Sequence, residues 1–284
     1  MKIITWNVQW CRGVDGRVDP ARVVAEIRRL GDFDVICLQE IADNFPAPRL
    51  PGNDAADQFS VIAGLLPGYE AVSGYGADHP GEGRRRRFGN MILSRLPVRQ
   101  AFRHLLPFPL DPGVSGMPRV AVEATVAAPF GELRVITTHL EWYSRKQRGA
   151  QVDALRAIYA EGCAHARGGS VTETDGGPFN TFLRPAATIF TGDFNLEYTD
   201  SLHARMVEPF ADGTPALANA WDVVHPGVAY PGTFKVHEKW VPGDPELHCD
   251  FCFVSPELRP RLRAVWCDRD TRVSDHQPVM AELA

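Results

Sequence analysis

No stretch of this sequence is apolar for long enough to cross a membrane. Lys2 leads straight into Ile3-Ile4-Thr5-Trp6, without the apolar segment and cleavage site of a secretory signal. A soluble, cytoplasmic protein is therefore expected. Cysteine is sparse as well: Cys11, Cys37, Cys163, Cys249, Cys252 and Cys267 are scattered, several of them inside apolar runs where free buried thiols sit. That argues against a disulfide scaffold. Cys249 and Cys252 have a suggestive spacing, yet His248 to Val254 reads as a strand, so residues three apart face opposite sides, and no second pair completes a metal knuckle. Excess positive charge is missing too. With a net charge of −5 the chain has no general field for gripping nucleic acid, so any basic site must be local. There is no internal repeat, low-complexity tract or linker, and the 284 residues are read as one domain. A composition 44% hydrophobic and 23% charged supplies ample apolar surface for its core.

What is present is organised around Ala187 to Asn195. Ala187 to Phe190 is a short apolar, β-branched run that predicts a buried strand, and Gly192 stops the pattern just before Asp193-Phe194-Asn195. Alternation along extended chain would turn Asp193 and Asn195 to one face and Phe194 to the core. The pair is then either a carboxylate and an amide aimed at a site, or an Asx turn closing the strand.

Similar breaks recur along the chain. Lys2 to Val8 reads as a first strand carrying Asn7, and Asp19-Pro20 as the cap and first turn of a helix with Val23, Val24, Ile27 and Leu30 at helical spacing. Asp34 to Leu38 reads as a second strand ending in Gln39-Glu40, which puts Asn7 and Glu40 at equivalent carboxyl ends of a strand, crossover and strand unit. A loop is expected over Ile41 to Ala55 and a helix over Asp57 to Leu66. Strands follow at Tyr69 to Ser73, Phe88 to Ser94, Val98 to His104 and Arg119 to Ala127, the last forming a hairpin with Glu132 to His139. Gln147 to His165 is helical, and the Gly-rich segment from Arg167 to Pro185 is expected to be a surface loop. Short helices are predicted over Ser201 to Met206 and Ala216 to Val224, and a long loop, including Trp240, over His225 to Glu246. Asp250 to Val254, Arg261 to Cys267 and Val279 to Leu283 complete the strands.

Asn7, Glu40, His139, Asp193, Asn195, Asp250, Asp275 and His276 thus all fall at or beside predicted strand ends. Two histidines, four carboxylates and two amides suit hydrolysis by a metal-assisted water better than acyl transfer, because Ser274 is the only candidate nucleophile near one of these histidines and its local sequence also fits a turn or cap. Thr5-Trp6-Asn7, Leu38-Gln39-Glu40, Gly89-Asn90-Met91-Ile92-Leu93-Ser94, Thr138-His139-Leu140, Gly192-Asp193-Phe194-Asn195, Asp250 to Ser255 and Ser274-Asp275-His276-Gln277-Pro278 follow one another from end to end. In that order they resemble the endonuclease/exonuclease/phosphatase superfamily, which includes deoxyribonucleases, abasic-site endonucleases, sphingomyelinases and inositol polyphosphate 5-phosphatases.

The resemblance implies a four-layer α/β sandwich of two packed mixed sheets flanked by helices. It also implies a divalent cation, Mg²⁺ or Mn²⁺, held by Glu40 with Asn7 and Asp275 beside it. Asp193 would deprotonate the attacking water and Asn195 help to hold it or a phosphoryl oxygen; His276, oriented by Asp250, and His139 would grip the phosphate. Asn90, in its motif, and Arg87, at the end of the Arg84 to Arg87 run, are candidates for substrate contact, although a charge run is also what a solvated face looks like. Cys252 replaces an aliphatic residue usual in the family, and either narrows the site or packs. The expected activity is a phosphoesterase, foremost a phosphodiesterase, acting on a small phosphorylated molecule or a nucleic acid. A DNA or RNA nuclease and a non-catalytic binding module on the same scaffold are the alternatives.

Overall fold

Two alternating faces decide how the strands stack. In the computed structural model, which describes residues 1–169, 177–180, 182, 184–239 and 241–284, the chain opens with β1 (Lys2–Asn7), α1 (Pro20–Leu30), β2 (Val35–Asp43) and α2 (Gln58–Leu65). Both helices start where the sequence caps them: the side chains of Asp19 and Asp57 accept from the backbone N–H of Arg22 and Ser60. Next come β3 (Glu70–His79), β4 (Arg86–Ser94), β5 (Val98–Leu105), β6 (Val120–Ala128), β7 (Gly131–His139) and the long α3 (Arg145–Gly168). The remainder comprises β8 (Thr188–Asp193), α4 (Ser201–Val207), β9 (Ala218–Asn219), α5 (Ala220–Val224), β10 (Asp250–Val254), β11 (Leu262–Cys267) and β12 (Val279–Leu283).

The strands form two six-stranded sheets, ordered β11-β12-β1-β2-β4-β3 and β5-β6-β7-β8-β10-β9. Each is mixed: β1 with β2 and β7 with β8 run parallel, and the other pairs are antiparallel. Ile3, Val35, Cys37, Val135, Ile189 and Cys252 point inward and fill the space between the sheets. Ile4, Trp6, Ile36 and Leu38 point outward beneath α1 and α2, and Ile136, Phe190, Phe251 and Phe253 outward beneath α3 and α4. Helix, sheet, sheet and helix are the four layers expected, because the central strands are apolar on both faces and need cover on both. Cys252 packs in the inter-sheet core.

Some boundaries differ from the sequence expectation. β2 does not stop at Leu38: it runs to Asp43 through a register shift, so the expected loop begins later. β3 likewise continues past Ser73 to His79, carried by pairing with β4 through a shift at Tyr75. The helix expected over Ala216 to Val224 is a two-residue strand followed by α5, because Ala218 and Asn219 pair with β10 and the Asn219 side chain then caps Trp221. In the expected loop over 167–185, residues 167 and 168 close α3, while residues 170–176, 181 and 183 lie outside the described residues, as does Trp240.

One buried histidine away from the strand ends makes stability depend on pH. His203, on α4, sits among the rings of Tyr198, Phe251 and Phe253 and accepts from Asn219 Nδ2 at 3.0 Å. Burial lowers its pKa from 6.5 to about 4. The folded state therefore refuses a proton that the unfolded chain accepts, so this contribution is intact above pH 6.5 and is lost as the pH falls towards 4. The loss should reach up to about 3 kcal/mol. Urea unfolding at pH 7.5 and 4.5 checks it: His203→Gln should lose less stability between the two than the parent, and an equal loss refutes the assignment.

Candidate active site

The inward face carries a second pattern, from apolar to polar towards one end. Inward positions two apart are Thr5 and Asn7 on β1, Thr137 and His139 on β7, Thr191 and Asp193 on β8, and Cys252 and Asp250 on the antiparallel β10. One layer below the end, Gln39 Nε2 donates to Thr5 Oγ1 at 3.1 Å and to Thr137 Oγ1 at 2.8 Å, joining the two sheets. Above that layer Asn7, His139, Asp193 and Asp250 converge.

Glu40 has the wrong parity for this face, since Val35, Cys37 and Gln39 already point inward. It reaches the site through the bulge in β2, where its φ is +60° and the register with β4 shifts between Leu38 and Ile41. A non-glycine residue in the left-handed region is strained, and such strain gathers at functional sites. Gly192 answers a different need: its φ is +135°, and a Cβ there would lie 2.0 Å from the Thr138 carbonyl oxygen.

The two readings of Asp193 hold at once. Its Oδ1 accepts the Asn195 backbone N–H at 2.9 Å, an Asx turn, while Oδ2 accepts Asn7 Nδ2 at 2.9 Å and lies 3.4 Å from His139 Nε2 and 3.7 Å from His276 Nε2. Asn195 reaches the cleft by this turn, with φ +50°, and not by strand alternation; its Nδ2 donates to Leu140 O at 2.8 Å. Asn7 Nδ2 also donates to Glu40 Oε1 at 3.1 Å, and Gln9 Nε2 to Asp275 Oδ2 at 2.7 Å. His276 Nδ1 faces Asp250 Oδ2 at 2.9 Å; a carboxylate only accepts, so Nδ1 carries the proton. The Phe234 ring stacks on His276 at 4.4 Å. Ser274 is a structural hydroxyl, donating to Asn7 O at 2.7 Å and accepting the His276 N–H at 3.2 Å.

Burial sets the charges. It raises Asp193 and Asp275 to about 6 each and raises Glu40 as well. It lowers His139 well below the ordinary histidine value, helped by the nearby charges of Arg119 and His276. For His276 burial also opposes charge, but Asp250 and Asp193 outweigh it and hold the imidazolium well above that value. The site thus pairs a neutral histidine with a charged one across a single carboxylate.

These groups line a cleft of about 330 Å³ with the aromatic residues Trp10, Phe88, Trp142, Tyr143 and Phe234 on its walls. Glu40, His139, Asp193, Asn195, Asp275 and His276 all open into it, with Asn7 and Asp250 buried directly behind. Two sequence candidates fall elsewhere. Asn90 borders a narrow recess behind His139 and donates to Val120 O at 2.9 Å. Arg87 lies 5.0 Å over the Tyr75 ring on the outer part of β4, while Arg84 pairs with Asp43 and Arg85 with Asp78, which is the solvated-face arrangement.

The cleft's arginine is instead Arg119, which sequence reasoning passed over. The expected hairpin held the signal, because the start of β6 must lie beside the end of β7 and so beside His139. Gln9 and Trp10 were missed for another reason. They enter through a turn in which Gln9, Trp10 and Cys11 all have positive φ, a conformation their residue types do not announce.

The two mixed sheets and their flanking helices make the four-layer sandwich that the order of the motifs implied. The chain belongs to the Endonuclease/Exonuclease/phosphatase family, whose profile matches residues 4–276. Among solved structures, an endonuclease/exonuclease/phosphatase from Beutenbergia cavernae is 24% identical with a TM-score of 0.70, the match covering 100% of this chain and 72% of that one. A mannosyl-6-phosphatase of Bacteroides thetaiotaomicron is 19% identical with a TM-score of 0.65, covering 100% of this chain and 99% of its own. D. rerio TDP2, in complex with a single-strand DNA product, is 19% identical with a TM-score of 0.66, covering 100% and 98%. The curated proteins give no match. At these identities the likeness establishes the fold.

Proposed function

We propose that this protein hydrolyses phosphate esters with water as nucleophile and a divalent cation, Mg²⁺ or Mn²⁺, as cofactor, foremost as a phosphodiesterase on a small phosphorylated molecule or a nucleic acid. The observation that carries this reading is Asp193 Oδ2, buried between His139 and His276 with Asp250 behind the latter. A binding module has no need of a carboxylate flanked by one neutral and one charged histidine.

The donor set fits a hard cation. Glu40, half-buried, and Asp275, buried, are carboxylates whose hydrogen-bond donors are amides and a hydroxyl, from Asn7, Gln9 and Ser274, with no cationic donor among them. Asp193, Asp250 and His276 also come close enough to surround an ion. That cluster suits one poorly, because two carboxylates hold His276 protonated, and an imidazolium has no lone pair to give. Glu40, Asp275 and Asn7 would therefore hold the cation, which when bound would offset the charge of a phosphoryl oxygen.

The protein's own groups do the rest. Asp193 accepts a proton from the water as the water oxygen bonds to phosphorus and the ester oxygen leaves with its electron pair. His276, charged and held by Asp250, donates to a phosphoryl oxygen, and neutral His139 offers its ring on the opposite side. Asn195 orients the water. The aromatic walls would stack planar groups of the substrate, and the acidic net charge disfavours long nucleic acid.

The test is a hydrolysis panel of bis-p-nitrophenyl phosphate, sugar phosphates, inositol phosphates, sphingomyelin, RNA and DNA oligonucleotides, each with Mg²⁺, Mn²⁺ and EDTA. Turnover of none sinks the proposal, and turnover unaffected by EDTA removes the cation from it. A binding experiment tests the cation separately. Glu40→Gln should weaken Mg²⁺ or Mn²⁺ binding at least about tenfold by calorimetry, while the metal-free variant melts at or above the parent, since a carboxylate whose charge desolvation disfavours has gone. Unchanged affinity would place the cation elsewhere.

A further inference from the structure

Arg119 is the only lysine or arginine among the described residues lining the cleft, and it borders the recess behind His139 as well. It is 6% exposed and immediately precedes β6. Its side-chain hydrogen bond runs from Nε to Glu141 Oε2 at 3.3 Å, which leaves the two terminal nitrogens of a cleft-lining residue without a hydrogen-bond partner among the described residues. The anchor is unusual in its construction. Glu141 is wholly buried, and besides Arg119 it accepts the Met117 N–H on Oε2 at 3.2 Å and the Tyr143 N–H on Oε1 at 2.9 Å. Its own backbone is clamped by α3: Gln151 Oε1 accepts the Glu141 N–H, and Arg148 Nη1 donates to Glu141 O.

One carboxylate therefore ties together the segment before β6, the arginine and the turn that carries Trp142 and Tyr143. Such a knot fixes a guanidinium in place before any ligand arrives. A purely structural ion pair would more often turn the fork of the guanidinium onto its carboxylate in bidentate fashion. The charge also reaches inward, where it helps to keep His139 neutral and offsets part of the burial effect on Glu40.

We propose that Arg119 binds a non-bridging phosphoryl oxygen of the substrate through its terminal nitrogens, with Glu141 as its positioning residue. The assignment rests on the phosphoesterase reading. It gives the cleft two cationic groups for the phosphoryl oxygens, His276 on one side of Asp193 and Arg119 beside His139 on the other.

Calorimetric titration of the full chain with inorganic phosphate tests it without requiring turnover. The parent should bind phosphate, and Arg119→Ala should weaken that binding about tenfold to a hundredfold, as expected for lost charge-assisted bonds. Because the alanine variant strands Glu141, Arg119→Lys is measured alongside: it keeps a cation against Glu141 but loses the fork, and should bind several-fold more weakly than the parent. On a hydrolysed diester, Arg119→Ala should lower kcat/KM about a hundredfold, while Arg87→Gln leaves it unchanged. No detectable phosphate binding by the parent, or affinities of both Arg119 variants within twofold of it, would overturn the proposal. Arg119-dependent phosphate binding with no hydrolysis anywhere in the panel would leave Arg119 standing and remove the phosphoesterase reading.

Discussion

Asp193→Asn is expected to lower kcat by at least about a hundredfold, and as much as ten-thousandfold, with the fold intact. The substitution keeps size and shape. Its Oδ1 can still accept the Asn195 N–H that closes the turn, so the end of β8 has no reason to move. What disappears is the second oxygen, the atom 3.4 Å from His139 and 3.7 Å from His276. An amide nitrogen there cannot take a proton from water. Asn7 loses an acceptor but retains Glu40 Oε1, which limits the damage to packing. Burial has already raised Asp193 to about 6, so the ionised carboxylate is a cost to the folded state near neutral pH, and the variant should melt no lower than the parent. Turnover and a melting curve on the same preparation decide it. Near-normal kcat would remove Asp193 as the base, and a collapse in melting temperature would mean its role is structural.

Why some of this was legible in the sequence and some was not follows from how each residue reaches the cleft. Asn7, His139, Asp193 and Asp250 stand on inward positions of predicted strands, so the period-two pattern that marks the core marks them too. Their neighbours Thr5, Thr137 and Thr191 extend the same pattern. Glu40 breaks it. Its place depends on a bulge at φ +60°, which comes from pairing with β4 some fifty residues later in sequence and leaves no local trace. Its place at the end of the second expected strand, with the motif resemblance, singled Glu40 out; period-two alternation alone would have turned it away from the site.

Arg87 shows the opposite failure. Four arginines before a site strand suggested phosphate, but antiparallel pairing with β3 sets Arg87 opposite Asp78, and Tyr75 lies beneath the guanidinium. Asp78, the carboxylate beside Arg85 and Arg87, and Tyr75 belong to β3, whose expected range stopped at Ser73, short of both. Arg119 was within reach of the same reasoning that paired its strand with the one ending at His139. It was overlooked because a lone arginine after proline carries no signal until the end of the hairpin is recognised as the end of the sheet.

Breaking the Asp250 and His276 pair should give an effect as large, and one that changes with pH. His276→Ala removes the ring that donates to phosphate and is expected to cost at least about a hundredfold in kcat. Asp250→Asn leaves the ring, its Phe234 stack and the outline of β10, but takes away the carboxylate that, against burial, does most to hold the imidazolium charged. The sign is then determined. In the parent, Asp250 and Asp193 hold the His276 pKa well above 6.5, so the imidazolium persists further towards alkaline pH than it can in the variant. In Asp250→Asn the pKa falls, so the imidazolium survives at the acid end and is lost as the pH rises. The ratio of parent to variant kcat should accordingly be smaller at pH 6 and grow towards pH 8. In His276→Ala no such group titrates, and the additional change Asp250→Asn should add little, because the two residues act as one unit. Steady-state rates of the parent, both single variants and the double variant across that range form the test. A parent to Asp250→Asn ratio that is flat with pH would show that Asp250 orients His276 without charging it, and full additivity in the double variant would separate the pair.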